Sequence, residues 1–394
     1  MFKSYKTELD PTHEQKIKIN QTIGNCRFIY NYYLAYNKNL YEQNKGTDLP
    51  TFISGYSFSK MINHNDAFHE QYPWFRDVSS IAVKTAMRHA EKAFKNFFKG
   101  ITNFPKFKRK KQQTVKIHFF KNSPTCIAVK RHRIKIPTLG WVRLKEYGYI
   151  PTENYIIKNC TVSRKADRYY VSVLVDTENN KLSAGTSINK TGMGIDLGIK
   201  ELAVCSDDFV YKNINKTEKV KKIKKKLRRV QRRLSRKYLM KNKQNKNSVA
   251  KFANIDKNVL QLQKLHARLM NIRHNYINQV ISEIIKRKPS YITMENLNIK
   301  GMMKNRHLAK AVQEQCFYYF KNRVIWKCQI HGIEFREADR FYPSSKLCSC
   351  CENKKTDLKL GDRIYKCSNC GLIIDRDINA AINLQKVKNY NVIV

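Results

Sequence analysis

At 394 residues the chain can hold two or three domains, each with its own core, and a hydrophobic content of 42% argues against disorder. The unusual quantity is charge: 77 Lys and Arg against 31 Asp and Glu leave +46, which a compact body tolerates best beside a polyanion. An anionic membrane surface would serve, but no apolar stretch approaches the roughly 18–20 residues of a membrane span, and MFKSYKTELDP lacks the apolar core of a signal peptide. Nucleic acid fits better, since Lys and Arg on phosphates release counterions and so supply sequence-independent affinity.

In chain order, a first strand is predicted from about Phe2 to Leu9, ending at Pro11, and Thr12 with Gln15 three positions later forms a capping box that opens a helix. Ile17, Cys26, Ile29, Tyr30, Tyr33 and Leu34 carry its period. A second helix, about Ser79 to Lys99, sets Ile81, Val83, Met87, Ala90, Phe94 and Phe97 largely on one side. Between them Pro50, Gly55 and Pro73 indicate loops and short helices, so residues 12–104 make a helical module. From Pro105 to about Lys190 the pattern becomes short β-branched and aromatic runs: Val115 to Phe120, Cys126 to Val129, Trp141 to Leu144, Tyr155 to Ser163 and Tyr169 to Val175. They predict a small antiparallel sheet or barrel which the first strand can join, the helical module being an insertion. Phe104, Phe107, Phe119, Phe120, Tyr169 and Tyr170, interleaved with basic residues, divide between core and base stacking.

A third region opens with Met193 to Leu197 and Glu201 to Cys205, two apolar runs split by Gly198 as in a hairpin. No acid occurs between Glu218 and Asp256, whereas Lys and Arg crowd KVKKIKKKLRRVQRRLSRKYLMKNKQNK. Val220, Ile223, Leu227, Val230 and Leu234 recur there at three- and four-residue steps, the mark of an amphipathic basic helix. A lysine-rich face is ordinarily just solvated. At this total charge a nucleic-acid groove is favoured, and Lys224, Lys225, Arg228, Arg229, Arg232 and Arg233 are its candidate phosphate contacts. A second long helix, about Lys257 to Lys286, should pair with it before Pro289, and Tyr291 to Met294 reads as a buried strand.

Of eleven cysteines, Cys348, Cys350, Cys351, Cys367 and Cys370 crowd into 23 residues, and the scattered six read as small buried hydrophobes. Cys348-x2-Cys351, fifteen intervening residues and Cys367-x2-Cys370 present four thiolates for a structural zinc with no open position for catalysis; Cys350 could compete with Cys351. Three acids also stand in telling contexts. Asp196 lies in GIDLGIK, where an apolar strand carries one carboxylate followed by glycine, a place where a ligand or metal can approach the backbone. Glu295 ends the strand of YITMENL, and Asp377 lies in IIDRDINAAINL before a short helix beginning near Ile378. Acids at strand ends and a helix start can converge on two divalent cations for phosphodiester hydrolysis. Singly each has a plainer explanation, Asp377 as a helix cap and Glu295 as a partner for a lysine.

The ordered set GIDLGIK, the basic helix, ITMENLNIKG, DRFYPSSKLCSCC, YKCSNCG and DRDINAAINL strongly resembles the TnpB family, nucleases of bacterial and archaeal insertion sequences similar to the compact effectors of type V CRISPR systems. PTHEQKIKINQTIGNCRFIYNYYL and FKNFFKGITNFPKFKRK extend the resemblance over essentially the whole chain. It implies a multidomain α+β protein: an RNase H-like nuclease domain of the RuvC type (191–340 and 371–394, with a basic helical hairpin about 216–287), an inserted zinc ribbon that binds target nucleic acid (341–370), and an N-terminal β-barrel wedge domain (1–11 and 105–190) carrying a helical recognition insertion (12–104). It implies Asp196, Glu295 and Asp377 as catalytic acids holding Mg2+ or Mn2+, with Asp375 the alternative for the third place, and Cys348, Cys351, Cys367 and Cys370 as zinc ligands. The implied activity is RNA-guided cleavage of double-stranded DNA beside a short flanking motif, with a guide RNA as partner, in the prokaryotic cytoplasm at the nucleoid. Two rivals share the pattern: an RNA-guided repressor that binds without cutting, which the presence of all three acids disfavours, and a guide-independent RuvC-like nuclease.

Overall fold

Alternation along the first strand and the β-branched runs after residue 116 builds one sheet from distant parts of the chain. The computed structural model describes residues 2–110, 116–123, 125–153, 155–176, 191–243, 253–359 and 361–393. The predicted strand start at Val115, the close of the β-rich region after 176 and the end of the basic run after 243 lie outside them. The chain divides into two compact units, 1–180 and 181–394.

In the first unit β1 (Phe2–Asp10) leads into α1 (His13–Asn44), α2 (Gly55–Asn63), α3 (Asp66–Gln71) and α4 (Ser80–Phe98), followed by β2 (Ile117–Phe120), β3 (Ala128–Lys130), β4 (Arg133–Ile136), β5 (Gly140–Leu144), β6 (Ile156–Lys165) and β7 (Arg168–Asp176). The sheet order is β2-β6-β7-β1-β5-β4-β3, with every ladder antiparallel. Among the described residues no ladder joins the short edge strands β2 and β3, so hydrogen bonding leaves the sheet open where a barrel was predicted. At α1 the Thr12 hydroxyl accepts from the Gln15 amide (3.3 Å) and the Gln15 side chain accepts from the Thr12 amide (3.1 Å). The same Gln15 donates to Leu139 O and Trp141 O, tying α1 to β5. Tyr169, Val171, Val173 and Val175, alternating along β7, join Ile29 and Tyr33 of α1 and Met87, Ala90 and Phe94 of α4 in one core. The helical module and the sheet therefore share a core and do not separate at residue 104.

The second unit holds β8 (Met193–Asp196), β9 (Glu201–Cys205), β10 (Val210–Lys212), α5 (Glu218–Lys243), α6 (Ala253–Lys286), β11 (Tyr291–Glu295), α7 (Ile299–Met302), α8 (Ala309–Gln315), α9 (Phe317–His331), β12 (Glu334–Ala338), β13 (Ile364–Lys366), β14 (Ile373–Asp375), α10 (Arg376–Lys386) and β15 (Tyr390–Val392). Its main sheet runs β10-β9-β8-β11-β12-β15. The central β8, β11 and β12 are parallel, while β9, β10 and β15 are antiparallel to their neighbours. Met193, Ile195, Ile292 and Met294 face α6 and α9 in a core with Ile277, Ile281, Ile284, Phe320 and Val324; the alternate residues of β8 and β11 face the other way, where α10 packs. β13 and β14 pair as a hairpin, so the ribbon boundary predicted at residue 370 falls inside it, and β14 runs directly into α10. Among the described residues no helix is long and apolar enough to cross a membrane.

Candidate active site, metal centre and nucleic-acid interface

Parallel pairing of β8 with β11, with Ile195 opposite Met294, sets their last residues, Asp196 and Glu295, abreast at one edge of the sheet. α10 reaches that edge because residue 194 is glycine: a Cβ there would stand 2.0 Å from the Ala381 carbonyl oxygen and 2.5 Å from the Gln385 nitrogen. The Gln385 side chain donates to Gly192 O (2.6 Å), and the Tyr291 hydroxyl donates to Gln385 O (3.0 Å), fixing the helix lengthwise. The helix begins at Arg376, two residues before the predicted start, which moves Asp377 into its first turn. The cap is Asp375, whose exposed carboxylate accepts from the Asp377 and Ile378 amides at 2.8 and 3.3 Å.

Electrostatics links the three acids. The Asp196 carboxyl is pushed well above the usual carboxylate range, first by burial, then by the charges of Glu295 and Asp377, with Arg376 acting against them. Burial also raises Glu295, opposed by a hydrogen bond that the Ser344 hydroxyl donates to its Oε1. The Arg376 guanidinium lies 3.1 and 3.2 Å from Asp377 Oδ1, and Arg363 lies 3.9 Å from its Oδ2. A carboxyl raised by burial and by two neighbouring acids belongs to a donor set wanting a hard cation, and carboxylate oxygens suit Mg2+ or Mn2+. In the first turn after β8 the buried Gln315 side chain donates to Gly198 O at 2.8 Å and to Ile199 O and Glu201 O at 3.3 Å, bracing the hairpin that carries Asp196.

Sulfur ligands converge more tightly than the acids do. Sγ atoms of Cys348, Cys351, Cys367 and Cys370 all lie within 4.8 Å of one another, with Cys348–Cys370 at 3.5 Å and Cys351–Cys367 at 3.6 Å. A tetrahedron with metal–sulfur bonds of about 2.3 Å has edges of about 3.8 Å, so this set fits one thiophilic ion. Among the described residues no acid group gathers its ligand atoms in this way. The chain turns back after each knuckle through a residue of positive φ, Glu352 at 59° and Gly371 at 73°. Cys351 is drawn down to about 6, first by the Asn369 side chain and then by the Asn353 backbone. Cys350 is exposed and outside the group, which removes it as a rival to Cys351. Of the scattered six, Cys26, Cys160, Cys205 and Cys328 are buried as expected, whereas Cys126 and Cys316 are only partly so.

The ribbon's first knuckle is stitched to α10 beside the acids. The buried Asn379 side chain donates to Leu347 O (2.6 Å) and accepts from the Ser349 amide (2.9 Å). Asn383 donates to Ser344 O and Leu347 O at 2.7 Å, and Lys386 to Ser349 O at 2.8 Å. Sequence reasoning missed Ser344, Asn379, Asn383 and Gln315. The one local signal was the pair of asparagines four apart on the small-residue face of NAAIN.

On α5, Val220, Ile223, Val230 and Leu234 are buried, and Val220, Ile223, Leu227 and Val230 pack with Leu265 and Leu269 of α6. Lys225, Arg228, Arg229, Arg232 and Arg233 are exposed. Lys224 is not available to a phosphate as predicted: it is partly buried and pairs with Glu314 at 2.6 Å, where Arg273 also lies 3.6 Å away. The reason is position, four residues after Val220 and three before Leu227, on the margin of the apolar stripe. The strand aromatics separate by parity along β2 and β7, while Phe104 and Phe107 lie in the loop after α4. Phe119 and Tyr169 are core, Tyr170 is half-buried, and Phe104, Phe107 and Phe120 are exposed.

Three family profiles match the chain: a helix-turn-helix domain of the OrfB/IS605 type at 1–46, an OrfB/IS605 domain described as a probable transposase at 171–306, and a Cas12f1-like TNB domain at 317–384. Within the first, residues 2–44 here form a strand and one long helix. A protein of Escherichia coli K12 named as RNA-guided DNA endonuclease InsQ is 26% identical over 97% of this chain and 91% of its own length. A Streptomyces pristinaespiralis protein named as an RNA-guided DNA endonuclease is 27% identical over 97% of this chain and 88% of its own. A solved structure of a Cas12f1–sgRNA–target DNA complex, 16% identical, covers 96% of this chain and 84% of the Cas12f1 chain with a TM-score of 0.56, a shared fold.

Proposed function

We propose that this chain is a member of the TnpB family and an RNA-guided DNA endonuclease. The observation that carries the reading is the meeting of Asp196, Glu295 and Asp377 at one sheet edge, two on adjacent parallel strands and one in the first turn of the helix packed on them, with the Asp196 carboxyl raised by burial and by the other two. The sheet order β10-β9-β8-β11-β12, with three central parallel strands, supports assigning the second unit to the RNase H-like, RuvC-type class. Within that assignment 341–370 extended to Asp375 is the zinc ribbon, 191–340 with α10 and β15 the nuclease domain, and the first unit comprises a wedge sheet with a helical recognition insertion that reads the flanking DNA motif.

Asp196, Glu295 and Asp377 would hold Mg2+ or Mn2+, and Cys348, Cys351, Cys367 and Cys370 a structural zinc. Divalent ions at such a site supply activation of a water and neutralisation of the leaving oxygen in phosphodiester hydrolysis. The protein's own part is orientation. Ser344 holds one oxygen of Glu295 and leaves the other for a ligand, while Arg376 donates to Oδ1 of Asp377 and orients its carboxylate beside Asp196. Asp375 is occupied in capping the helix that presents Asp377. Guide RNA pairing with one DNA strand then delivers a phosphodiester to this edge, so base pairing reads sequence while exposed Lys and Arg, those of α5 included, hold backbone phosphates.

The test is to purify the protein from cells carrying its own locus, sequence the RNA that comes with it, and supply plasmid DNA matched to that RNA. A discrete RNA species and divalent-dependent cleavage of matched DNA alone are expected; equal cleavage of unmatched DNA without RNA would mean a guide-independent nuclease.

A further inference from the structure

Phe341 is the most exposed large hydrophobic side chain among the described residues, at 86%. Single exposed hydrophobes are common and mean nothing alone; place and bracing distinguish this one. β12 is the parallel neighbour of β11, and its last residue, Ala338, lies directly opposite Glu295. Phe341 follows three residues later, at the same sheet edge as the acids. Its backbone is held: the Phe341 amide donates to Asp339 Oδ1 (2.8 Å), the Tyr342 amide to Asp339 O (3.1 Å), and the Ser344 amide to Tyr342 O (2.9 Å). On both sides the chain is anchored in the fold, by the fully buried Ala338 and by Tyr342, which packs against Ala338, Leu384 and Val387 and whose hydroxyl donates to Asn383 O (3.2 Å). Ser344, which holds Glu295, is buried. A short, hydrogen-bonded loop thus presents one phenyl ring to solvent, beside the exposed Arg340.

From this placement we propose that Phe341 is a stacking platform for an unpaired base of the DNA strand entering the acid site, with Arg340 against its phosphate. The proposal rests on the nuclease reading above. A ring braced on the element that also carries Ser344 sets a base, and hence the adjoining phosphate, at a fixed distance from Glu295. Stacking accepts any base, because every base has a π-face, which suits an enzyme whose sequence choice lies with its guide. Phe341 is in this sense a positioning residue: it touches the strand next to the reacting phosphate without taking part in bond breaking.

The experiment uses the full protein with its guide RNA and matched DNA carrying 2-aminopurine at successive positions of the cleaved strand, stalled by Asp196→Ala. Quenching at a position next to the cleavage point is expected with Phe341 present, lost in Phe341→Ala and kept in Phe341→Trp. In the cleaving protein Phe341→Ala should slow cleavage roughly tenfold or more, with the Mg2+ concentration for half-maximal rate unchanged and Phe341→Trp near the unsubstituted rate. Unchanged quenching and rate in Phe341→Ala would overturn the proposal, as would a slowed rate with a shifted Mg2+ midpoint, which would mean that the loop had merely disturbed Glu295. Failure of the unsubstituted protein to cut matched DNA would instead refute the nuclease reading.

Discussion

Gly194 and Asp196 stand two residues apart on the same side of β8, and together they set the terms for the site. The glycine lets α10 lie against the strand, and the aspartate then carries a carboxyl shut in by that helix and by two other acids. Because its folded-state pKa is raised, Asp196 contributes stability that is fully present below the unfolded value and lost as pH rises through the folded one. At neutral pH, without divalent ions, its ionised form is therefore a destabilising element. Asp196→Asn should raise the melting temperature of zinc-loaded, divalent-free protein at pH 7, by about 2–4 °C for each kcal/mol in a unit of this size, and the difference should shrink toward acid pH. Added Mg2+ should stabilise the unsubstituted protein and leave the variant unmoved. Calorimetry across pH 4–8 checks this, and a variant less stable than the parent at pH 7 would show that the carboxylate is satisfied without a cation.

Among the elements, α5 separates two kinds of basic residue on one helix. Replacing Lys225, Arg228, Arg229, Arg232 and Arg233 by glutamine should lower the steepness with which RNA affinity falls with salt, by roughly 0.7–0.9 for each phosphate no longer neutralised, and leave the thermal midpoint nearly unchanged. Lys224→Gln should behave oppositely, with the salt slope kept and stability reduced because Glu314 loses its closest partner. Filter binding at several salt concentrations, with melting curves, separates the two; a reduced slope in Lys224→Gln would return that residue to the interface. The ribbon makes a second element-scale case. One zinc per chain is expected by elemental analysis, and Cys367→Ser should lose it, whereas Cys350→Ser should retain it. Since Asn379, Asn383 and Lys386 stitch the first knuckle to α10, zinc loss should also weaken cleavage. Full activity in zinc-free protein would break that connection.

For the molecule as a whole, what could be read from sequence was whatever is local. Two apolar runs split by Gly198 gave the β8–β9 hairpin, three- and four-residue steps gave α5, the stop at Pro289 gave the end of α6, and paired Cys-x2-Cys spacings gave the sulfur cluster. α9 escaped because FYYFKNRVIWKCQIH is apolar or aromatic nearly all round, so its buried line of Phe317, Phe320, Val324 and Cys328 is masked by neighbours such as the exposed Tyr318. β4 and β12 escaped as short strands rich in charge, RIKI and EFREA. Ser344 on Glu295, Gln315 under the Asp196 hairpin and Lys224 on Glu314 were beyond reach for another reason: each joins residues tens of positions apart, and they meet only once the sheet has ordered its strands.

If three acids at one sheet edge cut DNA chosen by an RNA, cleavage and binding measured in the same guide-loaded preparations should separate cleanly. Asp196→Ala, Glu295→Ala and Asp377→Ala should each abolish Mg2+-dependent cleavage of guide-matched DNA while target affinity stays within a few-fold of the parent, since binding rests on base pairing and many basic side chains. Asp375→Ala, which removes only the cap of α10 at a cost of about 0.5–2 kcal/mol of stability, should still cut. If Asp375→Ala were dead and Asp377→Ala active, the third ligand would lie two residues earlier; if all three acid variants still cut, the metal-dependent site described above would not be the nuclease.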